Sequence, residues 1–193
     1  MKKLATALAL TAALAGLLLV PETQALAAAD PHAVKVYVGY ADDLHAGSSF
    51  VPSPWAGDPG VVFRGSAPPY DAGALRLVNP SARALTVEDV SVDIGSAHYD
   101  LWGPYPILVP GKGSLILTQT VQFDFDTSEP GGNETCVQTA DIPVVKVVVG
   151  RKHLQTKVFR DVGQVLNTGG ADRFTCTGEN EGHSWQRVLP RGR

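Results

Sequence analysis

The densest set of side chains able to do chemistry lies at Phe123-Asp124-Phe125-Asp126-Thr127-Ser128-Glu129. Read as an extended segment it alternates, so Asp124 and Asp126 fall on one side and the two phenylalanines on the other. Two carboxylates on one face with Glu129 close by suit Ca²⁺, a hard cation that takes roughly six to eight oxygen ligands. Asp42 and Asp43 could add to the set. The same residues also read as the solvated end of a strand that uses Asp for turn chemistry. Paired carboxylates serve glycoside hydrolysis as well, but the separation that reaction needs is set by the fold and not by spacing along the chain. Nucleophilic chemistry has little to start from. There is no Gly-x-Ser-x-Gly elbow and no phosphate-cradling glycine loop. The five histidines, His32, His45, His98, His153 and His183, form no metal-binding pattern.

The second group is aromatic. Trp55 sits in Phe50 to Gly60, where Pro52, Pro54 and Pro59 exclude a helix or a central strand. Trp102 and Tyr105 sit in a similar segment, Trp102-Gly103-Pro104-Tyr105. Rings on such stiff loops either plug the end of a sandwich or form a platform for a glycan or protein partner.

The elements that must position these groups are strands. Val34 to Tyr40 alternates, and Val61 to Arg64, Gly73 to Val78 and Ser114 to Thr120 are further β-rich runs bounded by turn residues. Leu85 to Ile94 is another, with a change of phase at Glu88-Asp89 that predicts a bulge. Gly95 to Trp102 reads as a turn with a short edge strand, and Ile107-Leu108-Val109 leads into the tight turn Pro110 to Gly113. Ile142 to Phe159 reads as a hairpin turning at Gly150-Arg151-Lys152. Its first arm, Val144 to Val149, is apolar on both faces except at Lys146, which predicts a central strand. In its second arm Leu154, Thr156 and Val158 share one face, against His153, Gln155 and Lys157 on the other. The tail from Asp161 to Trp185 reads as glycine-punctuated loop. No stretch after the N-terminal segment sustains a helical period. The expectation is an all-β fold, a single immunoglobulin-like β-sandwich of about seven to nine short antiparallel strands.

The N-terminus carries an export signal. Met1-Lys2-Lys3 is a positive start, Leu4 to Val20 an uncharged Ala- and Leu-rich run, and Ala25 to Ala29 a small-residue exit. Cleavage after Ala27 or Ala29 leaves residues 30–193 as one domain behind a signal peptide at 1–29. The C-terminal stretch, Arg187 to Arg193, is basic and has no apolar tail. The expected location is therefore extracellular, without a membrane anchor in the mature chain. Of 16 Lys+Arg and 19 Asp+Glu, the signal removes Lys2, Lys3 and Glu22, which leaves 14 and 18, a net of −4. That balance gives no reason to bind nucleic acid or an anionic membrane. The two cysteines, Cys136 and Cys176, flank the hairpin and in an exported chain are expected to form a disulfide. In the chain-entropy account a loop of that length is worth ~4 kcal/mol.

Two pairs of segments carry a resemblance. They are Val38-Gly39-Tyr40-Ala41-Asp42-Asp43-Leu44-His45 with Phe50 to Gly57, and Gly163 to Gly170 with Asn180-Glu181-Gly182-His183-Ser184-Trp185. Together with Asn79 to Val87 and Phe125 to Ser128 they resemble a family of uncharacterised secreted bacterial β-rich proteins. Where those proteins have Asn-Glu-Ser before the terminal His and Trp, this chain has Asn-Glu-Gly. The resemblance implies a secreted β fold and brings no activity, ligand or catalytic residue.

The sequence thus favours a secreted, non-enzymatic binding or surface-associated module, with Trp55, Trp102 and Tyr105 as its contact platform and a glycan or protein as its partner. The alternative is a secreted hydrolase or calcium-dependent protein with its site at Asp124, Asp126 and Glu129. Beyond Ca²⁺ no cofactor is implied.

Overall fold

Alternation puts Val36 and Val38 on one face of the first strand and Tyr37 and Gly39 on the other, and the strand that results lies in the middle of the sheet. The computed structural model describes residues 34–44, 49–66, 68–127, 138–168 and 181–191. They form ten strands and no helix: β1 (Lys35–Asp42), β2 (Val61–Arg64), β3 (Asp71–Val78), β4 (Leu85–Ile94), β5 (Ala97–Tyr99), β6 (Ile107–Val109), β7 (Ser114–Leu117), β8 (Val144–Val149), β9 (Gln155–Arg160) and β10 (His183–Pro190). The strands run in the order β2-β7-β3-β1-β10-β9-β8-β4-β5, with β6 also on β4. Every pairing is antiparallel except β2 with β7. The sheet curls into a half-barrel around one core. The signal peptide and both cysteines lie outside the described residues.

The core joins both halves of the sheet. Val36, Val38, Leu75, Leu77, Leu115 and Leu117 come from β1, β3 and β7. They meet Val87, Val90, Val92, Val145, Val147, Val149 and Phe159 from β4, β8 and β9. Complete burial of a Val or Leu side chain stabilises by about 1.5–3 kcal/mol, so the half-barrel is held chiefly by this layer. The bulge in β4 is present, where the register with β8 shifts between Val87 and Asp89. The extra residue lets Leu85 and Val87 point the same way as Val90, Val92 and Ile94, and all five are buried.

β8 is internal, as the apolar run predicts, with β4 on one side and β9 on the other. The second arm of the hairpin keeps the alternation read from sequence and differs in where it begins. The turn extends from Gly150 to Leu154, so β9 starts later. Gln155, Lys157 and Phe159 stand opposite Val149, Val147 and Val145 and share their inward face, while Leu154 is exposed. Phe159 decides the phase, because its ring is the large apolar group to be buried. Gly150 holds φ +121°, and a Cβ there would stand 2.3 Å from the His153 carbonyl oxygen.

β10 is the second difference. Of His183 to Pro190 only Val188 is buried, so no apolar alternation marks the strand. Backbone pairing makes it: Val36, Tyr37 and Val38 pair with Val188, Arg187 and Gln186, and Arg160 and Phe159 pair with Leu189 and Pro190.

Gly150→Ala is expected to lower the unfolding free energy by about 1–3 kcal/mol, the usual cost of a strained backbone position. Gly103→Ala is expected to stay within ~0.5 kcal/mol, since a methyl there would meet nothing within 4 Å. Urea unfolding of the two variants checks the contrast.

Candidate functional site

The aromatic residues singled out from sequence are spent on packing. Trp102 is fully buried, donates its indole N–H to the Thr118 carbonyl oxygen (2.8 Å) and packs edge-on against Phe125 at 5.0 Å. Trp55 is 8% exposed and seats on Ala41, Ala74 and Ile116 on the outward side of the sheet. It is ringed by Phe63, Tyr70 and Trp185 at centroid distances of 5.3, 5.4 and 6.0 Å. Tyr70 stands edge-to-face to it; burial raises the Tyr70 pKa, against the pull of the Trp55 indole N–H. Tyr105 is half-buried against the core, and burial pushes its phenol's pKa up. The two indoles therefore offer no surface platform; the proline-rich loops bury their rings because apolar area is worth more against the sheet than in water.

The carboxylates do not converge either. Residues 120–125 form turns, not a strand, so the alternation expected there fails: Phe123 is exposed at φ +67° while Phe125 is buried. Asp124 turns back on its own loop. Its Oδ1 accepts from Thr120 N at 2.8 Å, and its Oδ2 accepts from Val121 N at 3.0 Å and from the Thr120 hydroxyl. Asp126 turns the other way, and its Oδ1 is 3.1 Å from the Tyr40 hydroxyl, which also lies 3.2 Å from Asp71 Oδ1. Asp42 accepts from Leu44 N (3.0 Å) and Glu181 N (2.9 Å), and Asp43 accepts from Tyr70 N (3.4 Å) and the Ser49 hydroxyl. Glu129 lies outside the described residues. Among the described residues no group of three or more His, Cys, Asp or Glu could hold a metal ion. His98 and Asp93 are 2.5 Å apart on the exposed side of β5 and β4. Lys146, also 2.5 Å away, and then His98 hold the Asp93 carboxyl below its ordinary pKa.

The structure does assemble one charged cleft. β9 and β10 stay paired for only two residues, Leu189 with Arg160 and Pro190 with Phe159, before the chain turns away at Asp161. The turn is built around the Asp161 carboxylate, which is fully buried and accepts from Leu166 N at 2.9 Å, with the Val165 and Gln164 amides beside it. Gln164 takes φ +53° to close the turn, and Gly163 is pressed on Gln186, where a Cβ would lie 2.1 Å from Nε2. From Val188 back to His183, β10 has a strand neighbour only on its β1 side. The gap is a cleft of about 360 Å³.

Arg160, Arg187 and Arg191 line that cleft, and no carboxylate does. Arg187, Leu189 and Arg191 are two residues apart and so share a face, with Arg160 opposite Leu189. At the centre are two exposed apolar side chains, Leu189 at 64% and Val162 at 72%. None of the three arginines forms an ion pair among the described residues. A second cleft of about 340 Å³, between β4 and β6, lacks this one-sidedness: it holds Glu88 as well as Arg151, whose Nε donates to Thr86 Oγ1 at 3.0 Å. Guanidinium is a planar fork that binds carboxylate, sulfate or phosphate through two hydrogen bonds. The cleft therefore presents three such forks for binding an anionic group.

Protein-family models, curated proteins and solved structures were all compared with the chain. None matches. Sequence reading noted the basic C-terminal stretch but not the site. Arg187 and Arg191 sit at even spacing in a strand with almost no apolar alternation, and Arg160 joins them only through the β9–β10 pairing.

Beneath the cleft, burial raises the Asp161 pKa against the pull of the neighbouring amides and of His183. A carboxyl raised in the folded state keeps its proton where the unfolded chain has lost it. Its contribution is therefore most favourable below the ordinary carboxyl pKa and declines as pH rises through the folded value. Asp161→Asn keeps an acceptor but cannot ionise. Its unfolding free energy relative to wild type is expected to rise between about pH 4 and 7, checked by urea unfolding across that range.

Proposed function

We propose that this chain is an exported, non-enzymatic binding module that takes an anionic group in the cleft between β9 and β10. One observation carries the reading: among the described residues, three arginines with no ion-pair partner surround an exposed apolar centre in a cleft without a carboxylate. Unpaired guanidiniums gathered in one place repel one another, and an anion relieves that repulsion. Among the described residues, Asp42, Asp124 and Asp126 are engaged by backbone amides and by Tyr40. Export rests on the signal-like residues 1–29, and the kinship with secreted bacterial β-rich proteins stays a proposal on the same footing. We also read the half-barrel as an immunoglobulin-like sandwich whose two layers are joined by β10, since strands of both halves close on one core.

The mature chain is expected to be retarded in affinity gels containing polygalacturonate and not in gels containing neutral dextran. Retardation should weaken steadily with salt as charge contacts are screened. Replacing Arg160, Arg187 and Arg191 together by Gln should reduce it at least ~tenfold with little change in melting temperature. Equal retardation by dextran, or none by either, overturns the reading.

A further inference from the structure

The cleft does not end at β10. Arg187 stands opposite Tyr37 on β1, and Tyr37 stands opposite Arg76 on β3. These three residues face outward, because Val36 and Val38 beside Tyr37, and Leu75 and Leu77 beside Arg76, point into the core. The Arg76 guanidinium lies over the Tyr37 ring at 5.8 Å, its Nε is buried without an acceptor, and it forms no ion pair among the described residues. A guanidinium whose orientation is fixed by an aromatic face, and which no carboxylate engages among the described residues, is half of a carboxylate clamp. Lys35 lies on the same outward side, opposite Val78. Across four adjacent strands, β9, β10, β1 and β3, the outward positions carry Arg160, Arg187, Lys35 and Arg76, with Arg191 just beyond, and no carboxylate. The strip has a wall on one side, where Trp185 donates to the Pro54 carbonyl oxygen at 3.2 Å and packs on Trp55.

We infer that the ligand of the cleft is an acidic polysaccharide laid across the strands, with one carboxylate in the cleft and another on Arg76. The inference rests on the reading of the cleft as an anion site and extends it from a single anion to a polymer. Neighbouring strands are ~4.8 Å apart, so Arg187 and Arg76, two strands apart, are separated by ~10 Å between backbones. No single small anion spans that gap, whereas a chain bearing repeated carboxylates does. Polysaccharide is favoured over single-stranded nucleic acid. Base binding relies on aromatic faces on which successive bases stack; of the rings beside these cations, Tyr37 has Arg76 over it and Trp185 is packed on Trp55.

The test is calorimetry of the mature chain with galacturonate and with oligogalacturonates of increasing length. Wild type is expected to bind the monomer weakly and to gain affinity steeply at the length that reaches Arg76. Arg76→Gln should cost the long oligomers at least ~tenfold and leave the monomer within ~twofold. Arg76→Lys, which keeps the charge and loses the fork, should fall between, and melting curves confirm that both variants fold. Long oligomers that bind Arg76→Gln as tightly as wild type overturn the span while leaving the cleft reading in place. An Arg187→Gln variant that binds every length unchanged overturns the cleft itself. A single-stranded oligonucleotide of matched charge that binds more tightly than the oligogalacturonate overturns the choice of polymer.

Discussion

Among the described strands, β10 alone has ladder partners in both halves of the sheet. It pairs with β1 along Val36 to Val38 and with β9 at Arg160 and Phe159. Without it, β2, β7, β3 and β1 would be one sheet and β9, β8, β4 and β5 another. The curl that brings Val36 and Leu77 to the same core as Val90 and Val147 follows from that shared strand. The join contributes little apolar burial of its own, since Val188 is the single buried residue of β10. Backbone hydrogen bonds set its place, and the packing they allow stabilises the result.

The join is also incomplete, and the incompleteness is built in. Asp161 gathers the amides of Gln164 to Leu166 around a buried carboxylate and so turns the chain off β10 after two pairs. A carboxyl in that position is costly to ionise. What it secures is a backbone path that holds Arg160 beside Arg187 and Arg191 while Val162 and Gly163 pass over the gap. The groups that shape the cleft and the groups that face solvent in it are thus different residues. A substitution in the turn acts on binding through geometry, and one among the arginines acts through charge.

Much of the fold was legible because buried faces leave a period of two in the sequence. β1, β2, β3 and β8 follow their apolar runs closely, and the bulge in β4 is visible as a change of phase. The register of β9 was not: a three-residue turn would set His153 opposite Val149, the five-residue turn sets Gln155 there, and both keep the same residues on each face. β10 was missed for want of alternation. The aromatics illustrate another limit. Proline fixes the backbone around Trp55, but whether the ring points to water depends on the seat that Ala41, Ala74 and Ile116 provide from three other strands. The arginine strip is less legible still. Its members are scattered from position 35 to position 191 in a chain of net charge −3, and topology alone segregates them.

Among the described residues the two outer borders of the sheet are short. β2 ends it with four residues, and the far side of β4 is covered by β5 and β6, of three residues each. A long bare border invites a second chain to add itself as the next strand, and that is how many β proteins polymerise. Here each border offers a handful of amides, too few to template such growth. At its two outer borders the sheet therefore gives a second chain little to pair with, and its longer open edge, on β10, borders the cleft.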